Sequence, residues 1–476
     1  MNEYKKKTKI VATIGPASED KETLLQMFKA GVNVVRVNFS HSEEEIVKRW
    51  VQLVRNINEE YGFSVALLAD LQGPKLRVGI VKEGTVLEAG DIITFTNENI
   101  EGNAERVYIS YPQFAQDVKV GEKILLDDGK LIFEVVETNL KDKVRAKVIQ
   151  GGPLYSKKGI NLPNTKISLP ALTEKDIKDA LTAIKYDFDW IALSFVRHVE
   201  DVNDLKKLIQ IHSNHKIPII AKIEKPEAIR NSHEIVKVVD GIMVARGDLG
   251  IEIPMEKVPL IQKNLVNLCK IACKPVIIAT QMMESMMEGL TPTRAEVNDV
   301  ANSVLDGADA VMLSGETSVG KYPVEVVRNM SKIISNVEDD HQIQVPPHHP
   351  KKGSDRYITD MICYNAADMV GQVNARAIIT LTQSGYTAFQ ISSHRPLADI
   401  IVFTSNKRIV TMLSLLWGVK AFLYEELKST DETVVGVNRD VKEKGYVKTG
   451  DFVINLNAMP SFENGITNTI RLTQIS

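Results

Sequence analysis

A chain of 476 residues exceeds the roughly 250–300 residues at which single hydrophobic cores stop growing, so two or three domains are expected. Its 44% hydrophobic and 25% charged residues are those of a globular protein and exclude a disordered chain. The 58 Lys+Arg nearly balance 61 Asp+Glu, for a formal net charge of -3, which excludes a global electrostatic footprint for nucleic acid or anionic membrane and leaves anion binding to local clusters.

The chain opens with MNEYKKKTKIVATIG, whose apolar run is too short, and too soon followed by Gly15-Pro16, to be a secretory signal core. No later stretch approaches the roughly 20 apolar residues of a membrane span. The cysteines Cys269, Cys273 and Cys363 form no CxxC pair, which argues against a disulfide framework and a structural zinc site. The expected address is the reducing cytoplasm. Cys269 and Cys273 sit one helical turn apart and read as helix packing.

In chain order, KIVATIG (9–15), VNVVRVNFS (32–40) and VALLADLQG (65–73) are short apolar runs, each leading into polar residues and a helical stretch. DWIALSFVR (189–197), IPIIAKIEK (217–225), GIMVARGDL (241–249), KPVIIATQM (274–282) and DAVMLSGET (309–317) repeat the pattern. Continuous apolar runs without alternation predict parallel strands buried on both faces, and their interleaving with helices predicts βα units. Eight such units predict a TIM (β/α)8 barrel over 1–72 and 169–343. Between the third and fourth runs, TVLEAGDIITFT, KILLDDGKLIFEVVE and KVRAKVIQGG alternate around Gly and Asn turns, as a small β-rich domain inserted at 73–168 would. QVPPHHPKKGSD carries no hydrophobic period and reads as a linker, with His348 and His349 as solvated residues rather than metal ligands. Beyond it, ARAIITLTQSG, ADIIVFTSN, VKAFLYEE and GDFVINLNA alternate with helical stretches, predicting a C-terminal α/β domain at 355–476.

Catalytic groups of such barrels stand at the carboxyl ends of the strands. There the sequence places Arg36, Asn38, Ser40 and His41, then Asp70, Ser194, Lys222 with Glu224, Arg246 with Asp248, Thr280, and Ser314 with Glu316. Any one of them reads equally as a cap or packing partner; their convergence on one face is what suggests a site. Lys222 and Glu224, two apart on a strand, point to the same side, as either a structural ion pair or a working one. Glu224 and Asp248, with no His or Cys beside them, specify hard oxygen ligation and favour Mg²⁺ or Mn²⁺ over zinc. Arg36, Arg77 and Lys222 supply the fixed positive charge that a transferring phosphoryl group needs. In ARGDLGIEIP the glycines around Asp248 read either as a tight turn or as backbone N–H groups that hold a carboxylate.

These residues resemble the pyruvate kinases, through KIVATIGPAS, VVRVNFSHS, LLADLQGPKLRVG, KKGINLP, AKIEKPEA, IMVARGDLGIEIP, IIATQMMESM, TPTRAEVNDVANSVLDGADAVMLSGET and KYPVE. The third domain resembles that family's C-terminal domain through TLTQSGYTA, SSHRP and KGYVKTGDFV. The resemblance implies transfer of the phosphoryl group of phosphoenolpyruvate to ADP, giving ATP and an enolate that is protonated to pyruvate. It implies that Lys222 and Arg36 stabilise the phosphoryl group, that Arg77 approaches it from the edge of the inserted domain, and that Glu224 and Asp248 bind the divalent ion. The backbone of Gly247 and Asp248 with Thr280 would hold the substrate carboxylate, and Asn38, His41, Arg77 and Lys158 would lie on the nucleotide side. It also implies a cytoplasmic homotetramer, and leaves the proton donor open.

One departure stands out. Many family members carry Thr-Lys-Gly-Pro-Glu after the strand-three aspartate and need potassium beside the phosphate, whereas this chain reads Asp70-Leu71-Gln72-Gly73-Pro74-Lys75. With an ammonium in place of the acid, activity is expected not to require K⁺, although Asn38, Ser40 and Asp70 of the monovalent-cation region remain. In the third domain, Thr382, Gln383, Ser384, Gly385 and Thr387 form a loop that in the family binds a sugar-phosphate activator; here it reads as either that or a Ser/Thr helix cap. Two other readings stay open: a lyase acting on phosphoenolpyruvate or pyruvate enolates, and a catalytically silent sensor.

Overall fold

The computed structural model describes residues 5–40, 42–340, 343, 345–346, 348–425, 430–459 and 466–476. Each of the eight apolar runs forms one strand: β1 (Lys9–Thr13), β2 (Val34–Asn38), β3 (Ala66–Asp70), β4 (Trp190–Leu193), β5 (Ile219–Ile223), β6 (Gly241–Ala245), β7 (Val276–Ala279) and β8 (Ala310–Leu313). They close into a parallel barrel in which β1 pairs with both β2 and β8. The interior is filled by alternate strand residues, among them Val11, Val34, Leu68, Trp190, Ile220, Met243 and Ile277. Their neighbours in sequence, such as Ile10, Leu67, Ile191 and Ile242, face outward under the helices. Both faces are therefore apolar, which is why the strands show no polar alternation in sequence.

Between β3 and β4 lies a separate antiparallel core built from Ile93, Phe95, Phe114, Phe133 and Val148. Its six-stranded sheet includes Ile92–Thr96, Lys123–Leu126, Leu131–Thr138 and Lys143–Gln150, with strict alternation of buried and exposed residues along much of Lys143–Gln150. We call this unit the lid, because it docks over the carboxyl ends of the barrel strands. Arg197 Nη1 donates to Ile167 O at 2.7 Å and Nη2 to Leu169 O at 2.8 Å. Asn161 Nδ2 reaches Glu252 Oε1 at 2.9 Å.

The C-terminal unit is a five-stranded sheet: β9 (Ala377–Leu381), β10 (Asp399–Thr404), β11 (Val419–Leu423), β12 (Phe452–Asn457) and β13 (Thr469–Gln474). The first four are the runs read from sequence. The fifth, TIRLTQ, pairs antiparallel to β12 at the sheet edge and is largely exposed, so it carries no apolar run to announce it. This unit caps the floor of the barrel, with Leu415 fully buried among the barrel's interior side chains. Trp190 Nε1 donates to Met412 O at 3.0 Å, and Lys9 Nζ to Val419 O at 2.7 Å.

Two sequence expectations are corrected here. His348 is not a solvated linker residue: its ring stacks on His394 with centroids 4.1 Å apart, and Nε2 lies 2.9 Å from Ser393 Oγ. Cys273 does not share a helix with Cys269; the helix ends at Ile271, and Cys273 adopts φ 54° just beyond it. No described helix is long and apolar enough to cross a membrane.

Candidate active site

Strand register decides which side chains meet at the barrel mouth. Asn38 is level with Asp70, and Ala192 with Asp70, so β2, β3 and β4 end together. Arg36 projects from β2, its Nε bound to Asp70 Oδ2 at 2.6 Å and its Nη1 to Thr13 Oγ1 at 2.8 Å. Lys222 on β5 donates to Ser194 Oγ at 2.7 Å, and its ammonium lies 3.2 Å from Asp70 Oδ1 and 2.9 Å from Glu224 Oε1. Glu224 is fixed on its other oxygen by the Phe195 N–H at 2.8 Å. Arg36, Asn38, Ser40, Asp70, Leu71, Lys75, Arg77, Lys222, Glu224 and Asp248 all line one cavity of about 150 Å³.

These groups set each other's protonation. Burial alone would raise the Asp70 carboxyl, but Lys222 and Arg36 outweigh it and hold it below the ordinary carboxylate value. Burial likewise opposes the Lys222 ammonium, yet Asp70 and Glu224 reverse that and push it above the usual lysine value, so it remains a cation. Glu224 goes the other way: burial lifts its carboxyl, Lys222 opposes, and the neighbouring Asp248 adds repulsion, for a net upward shift. A buried carboxylate whose charge is disfavoured by burial and by a neighbouring carboxylate is a group that a bound cation would relieve.

The donor chemistry fits a hard divalent ion. Glu224 and Asp248 offer carboxylate oxygens in the shared cavity. Among the described residues no group of three or more His, Cys, Asp or Glu is arranged to hold a metal. Two protein carboxylates with the remaining positions left to water and substrate oxygens is the usual Mg²⁺ arrangement.

Beside Asp248, the short helix Arg246–Glu252 follows β6 directly. The Gly247 N–H donates to Thr280 Oγ1 at 2.8 Å, and Thr280 stands at φ 68°, a left-handed conformation uncommon for a β-branched residue. Arg246 does not face substrate space; it is buried, with Nη1 and Nη2 on Asp299 at 2.6 and 2.7 Å and Nη2 also on Thr280 O at 2.7 Å. That clamp fixes the strained turn at Thr280.

At the lid edge, Gly73 has φ 71°, and a Cβ there would come within 2.5 Å of the Phe195 ring, so the chain can leave the barrel this tightly only as glycine. Arg77 reaches the cavity while its Nη1 donates to Lys157 O at 3.0 Å. Lys75 lines the cavity and makes no ion pair within 4.0 Å among the described residues. Lys158 is not brought to the cavity: its ammonium pairs with Asp127 Oδ1 at 3.0 Å inside the lid. His41 lies outside the described residues.

In the C-terminal loop, Thr382 Oγ1 accepts from the Gly385 N–H at 3.0 Å, and Thr387 is buried against Thr380 Oγ1 at 3.3 Å. Gln383 and Ser384 are exposed. Thr13 and Asp299 contribute contacts that the strand-end reading did not name, whereas Ser194 was among the residues it placed there. Thr13 carries no charge, and Asp299 meets Arg246 only through a fold contact 53 residues along the chain.

Comparison with known proteins agrees with this architecture. The family model described as pyruvate kinase, barrel domain, matches residues 5–327, and that described as pyruvate kinase, alpha/beta domain, matches 360–473. A pyruvate kinase of Geobacillus stearothermophilus is 43% identical over 99% of this chain and 81% of its own length. One of Corynebacterium glutamicum is 42% identical over 98% of this chain and 97% of its own. Among solved structures, a pyruvate kinase from Cryptosporidium parvum superimposes with a TM-score of 0.91 at 34% identity, over 99% of this chain and 96% of that one. The protein is a phosphotransferase enzyme built on a (β/α)8 barrel. It belongs to the pyruvate kinase family.

Proposed function

We propose that this chain transfers the phosphoryl group of phosphoenolpyruvate to ADP, releasing ATP and an enolate that is protonated to pyruvate. The observation that carries this reading is that Arg36, Arg77, Lys222, Glu224 and Asp248 line one shared cavity at the barrel mouth. Lys222 and Arg36, held rigid by Asp70, place positive charge around the equatorial oxygens of the migrating group, and Arg77 adds to it from the lid edge. The Gly247 and Asp248 backbone with Thr280 orients the substrate carboxylate. Asn38, His41 and, on lid movement away from the Asp127 pairing, Lys158 serve the nucleotide. Glu224 and Asp248 would hold Mg²⁺ or Mn²⁺, which when bound neutralises charge developing on phosphoryl and enolate oxygens. Pyruvate release measured by a coupled dehydrogenase should depend strictly on added ADP; ADP-independent release would instead support a lyase.

We further propose that K⁺ is dispensable. Lys75 lines the same cavity as Asn38, Ser40, Asp70 and Leu71, the monovalent-cation region, and brings an ammonium on a flexible stem to its rim. In potassium-free and sodium-free buffer, turnover should match that with KCl, and Lys75→Glu should create a potassium requirement. Strong activation of the unaltered enzyme by KCl would refute this. The same reading makes the protein a cytoplasmic homotetramer in which the loop carrying Thr382, Gln383, Ser384, Gly385 and Thr387 takes a phosphorylated effector; exposed Gln383 and Ser384 at a helix start support it.

A further inference from the structure

The lid joins the barrel through two chain crossings, one leaving after β3 and one returning before the helix Glu174–Lys185. A body held at one point can turn freely, and one held at two can still turn about the line between them. Arg77 lines the mouth cavity but belongs to the lid, where its Nη1 donates to Lys157 O at 3.0 Å. Whatever fixes the lid therefore also fixes that guanidinium.

The short loop Ser194–Arg197, directly after β4, meets both crossings. Ser194 Oγ donates to Leu71 O at 2.6 Å on the outgoing side and accepts from Lys222 Nζ at 2.7 Å. The Phe195 ring packs against Gly73, and the Phe195 N–H holds Glu224 Oε2 at 2.8 Å. Phe195 stands at φ 54°, a left-handed conformation that persists only where its surroundings over-determine it. Arg197 takes the returning side, with its guanidinium on the Ile167 and Leu169 carbonyls at 2.7 and 2.8 Å. Consecutive residues of one loop thus hold both ends of the lid and, at the same time, Lys222 and Glu224.

Arg197 is itself anchored on three sides. Its guanidinium lies 3.3 Å from Asp201 Oδ1, its N–H donates to Asp201 Oδ2 at 2.8 Å, and its carbonyl accepts from Asn231 Nδ2 at 2.9 Å. It is not among the residues lining the mouth cavity. The third fixing point is the buried Glu252, whose Oε1 accepts from Asn161 Nδ2 of the lid at 2.9 Å and pairs at 2.5 Å with Lys225, the residue next to Glu224. On the barrel side both contacts use an ionised group, and charge-assisted hydrogen bonds are the stronger kind. The gap between lid and barrel beside them holds only about 30 Å³, roughly the share of one water molecule, so these contacts serve docking and leave no room for a ligand.

We propose that Arg197 and Glu252 are positioning residues for phosphoryl transfer: without touching substrate, they hold the lid so that Arg77 stands at a fixed distance from Lys222 and Glu224. The proposal rests on the phosphoryl-transfer reading above and adds the barrel groups that set the register of the lid.

Kinetics and metal binding on the full chain test this. Arg197→Met should lower kcat at least about tenfold, the effect of losing charge-assisted hydrogen bonds to the lid. Mn²⁺ binding to the free protein, titrated by electron paramagnetic resonance, should be unchanged, because the Phe195 N–H still anchors Glu224. In an Arg77→Met background the same substitution should cost much less, since the group it positions is gone. Asn161→Ala, which removes only the lid's side of the Glu252 contact, should also lower kcat with Mn²⁺ binding intact, and it decides the matter if Arg197→Met fails to fold. The proposal is overturned if the variants keep wild-type kcat, if Mn²⁺ binding weakens in step with kcat, or if the Arg197 and Arg77 losses simply add. Failure of the underlying reading looks different: the unaltered protein would then release no pyruvate in response to ADP.

Discussion

Lys222→Met should lower kcat by about 10²–10³, or about 2.7–4 kcal/mol of transition-state stabilisation, the cost of removing one preorganised donor from a developing anion. Methionine keeps most of the stem and removes the charge. In the wild type the ammonium is fixed by Ser194, Asp70 and Glu224 and kept protonated by the two carboxylates. Without it, Asp70 retains only Arg36 as a charged partner, and the already raised Glu224 loses the cation that opposes its protonation. Two defects therefore act together: less positive charge at the phosphoryl group and a weaker metal ligand. Steady-state kinetics at saturating phosphoenolpyruvate and ADP check this, and a kcat within about tenfold of wild type would contradict the role.

Asp309→Ala should destabilise the fold by about 3–5 kcal/mol, because it strands two buried cations. Asp309 begins the eighth strand unit and faces the C-terminal domain. Its Oδ2 is bound by Lys270, by Arg395 at 3.1 Å and by the Val276 N–H at 3.0 Å, all buried. Burial alone would raise this carboxyl, but Arg395 and Lys270 outweigh it and hold it below the ordinary aspartate value. One carboxylate cannot fully compensate two cations, and the buried Lys270 is itself pulled down to about 8, first by burial and then by Arg395. A carboxyl depressed in the folded state stabilises above the ordinary carboxylate range, and that contribution disappears as pH falls through its folded value. Urea unfolding should therefore show a lower midpoint for Asp309→Ala at neutral pH and a smaller gap from wild type in acid. An unchanged midpoint at neutral pH would show that Lys270 and Arg395 are not paired as described.

The barrel was legible because all eight strands are buried on both faces and so appear as unbroken apolar runs, from KIVAT to AVML. Strand-end chemistry followed from the fold rule alone, and Arg36, Lys222, Glu224 and Asp248 do share a cavity. What stayed hidden has a common cause, which is dependence on packing rather than on local pattern. The Arg246–Asp299 clamp joins residues 53 apart in sequence, so no spacing rule exposes it, and Arg246 read as one more mouth residue. The stacking of His348 on His394 belongs to a segment whose proline-rich composition signals only a break. The left-handed turn at Thr280 has no glycine to mark it. The edge strand Thr469–Gln474 is too exposed to show a hydrophobic period. Asp70 was assigned to a monovalent-cation region, and both its oxygens are engaged by Arg36 and Lys222, a counter-ion role visible only once β2, β3 and β5 are placed side by side.

Phosphorus relaxation offers the most direct measurement of charge gathered about one migrating group. With Mn²⁺ as the divalent ion, the ³¹P signal of bound phosphoenolpyruvate should be strongly broadened in the wild type, while Glu224→Gln should lose most of that broadening at substrate concentrations that still saturate the protein. Equal broadening in both proteins would place the ion, and with it the phosphoryl group, away from Lys222, Glu224 and Asp248.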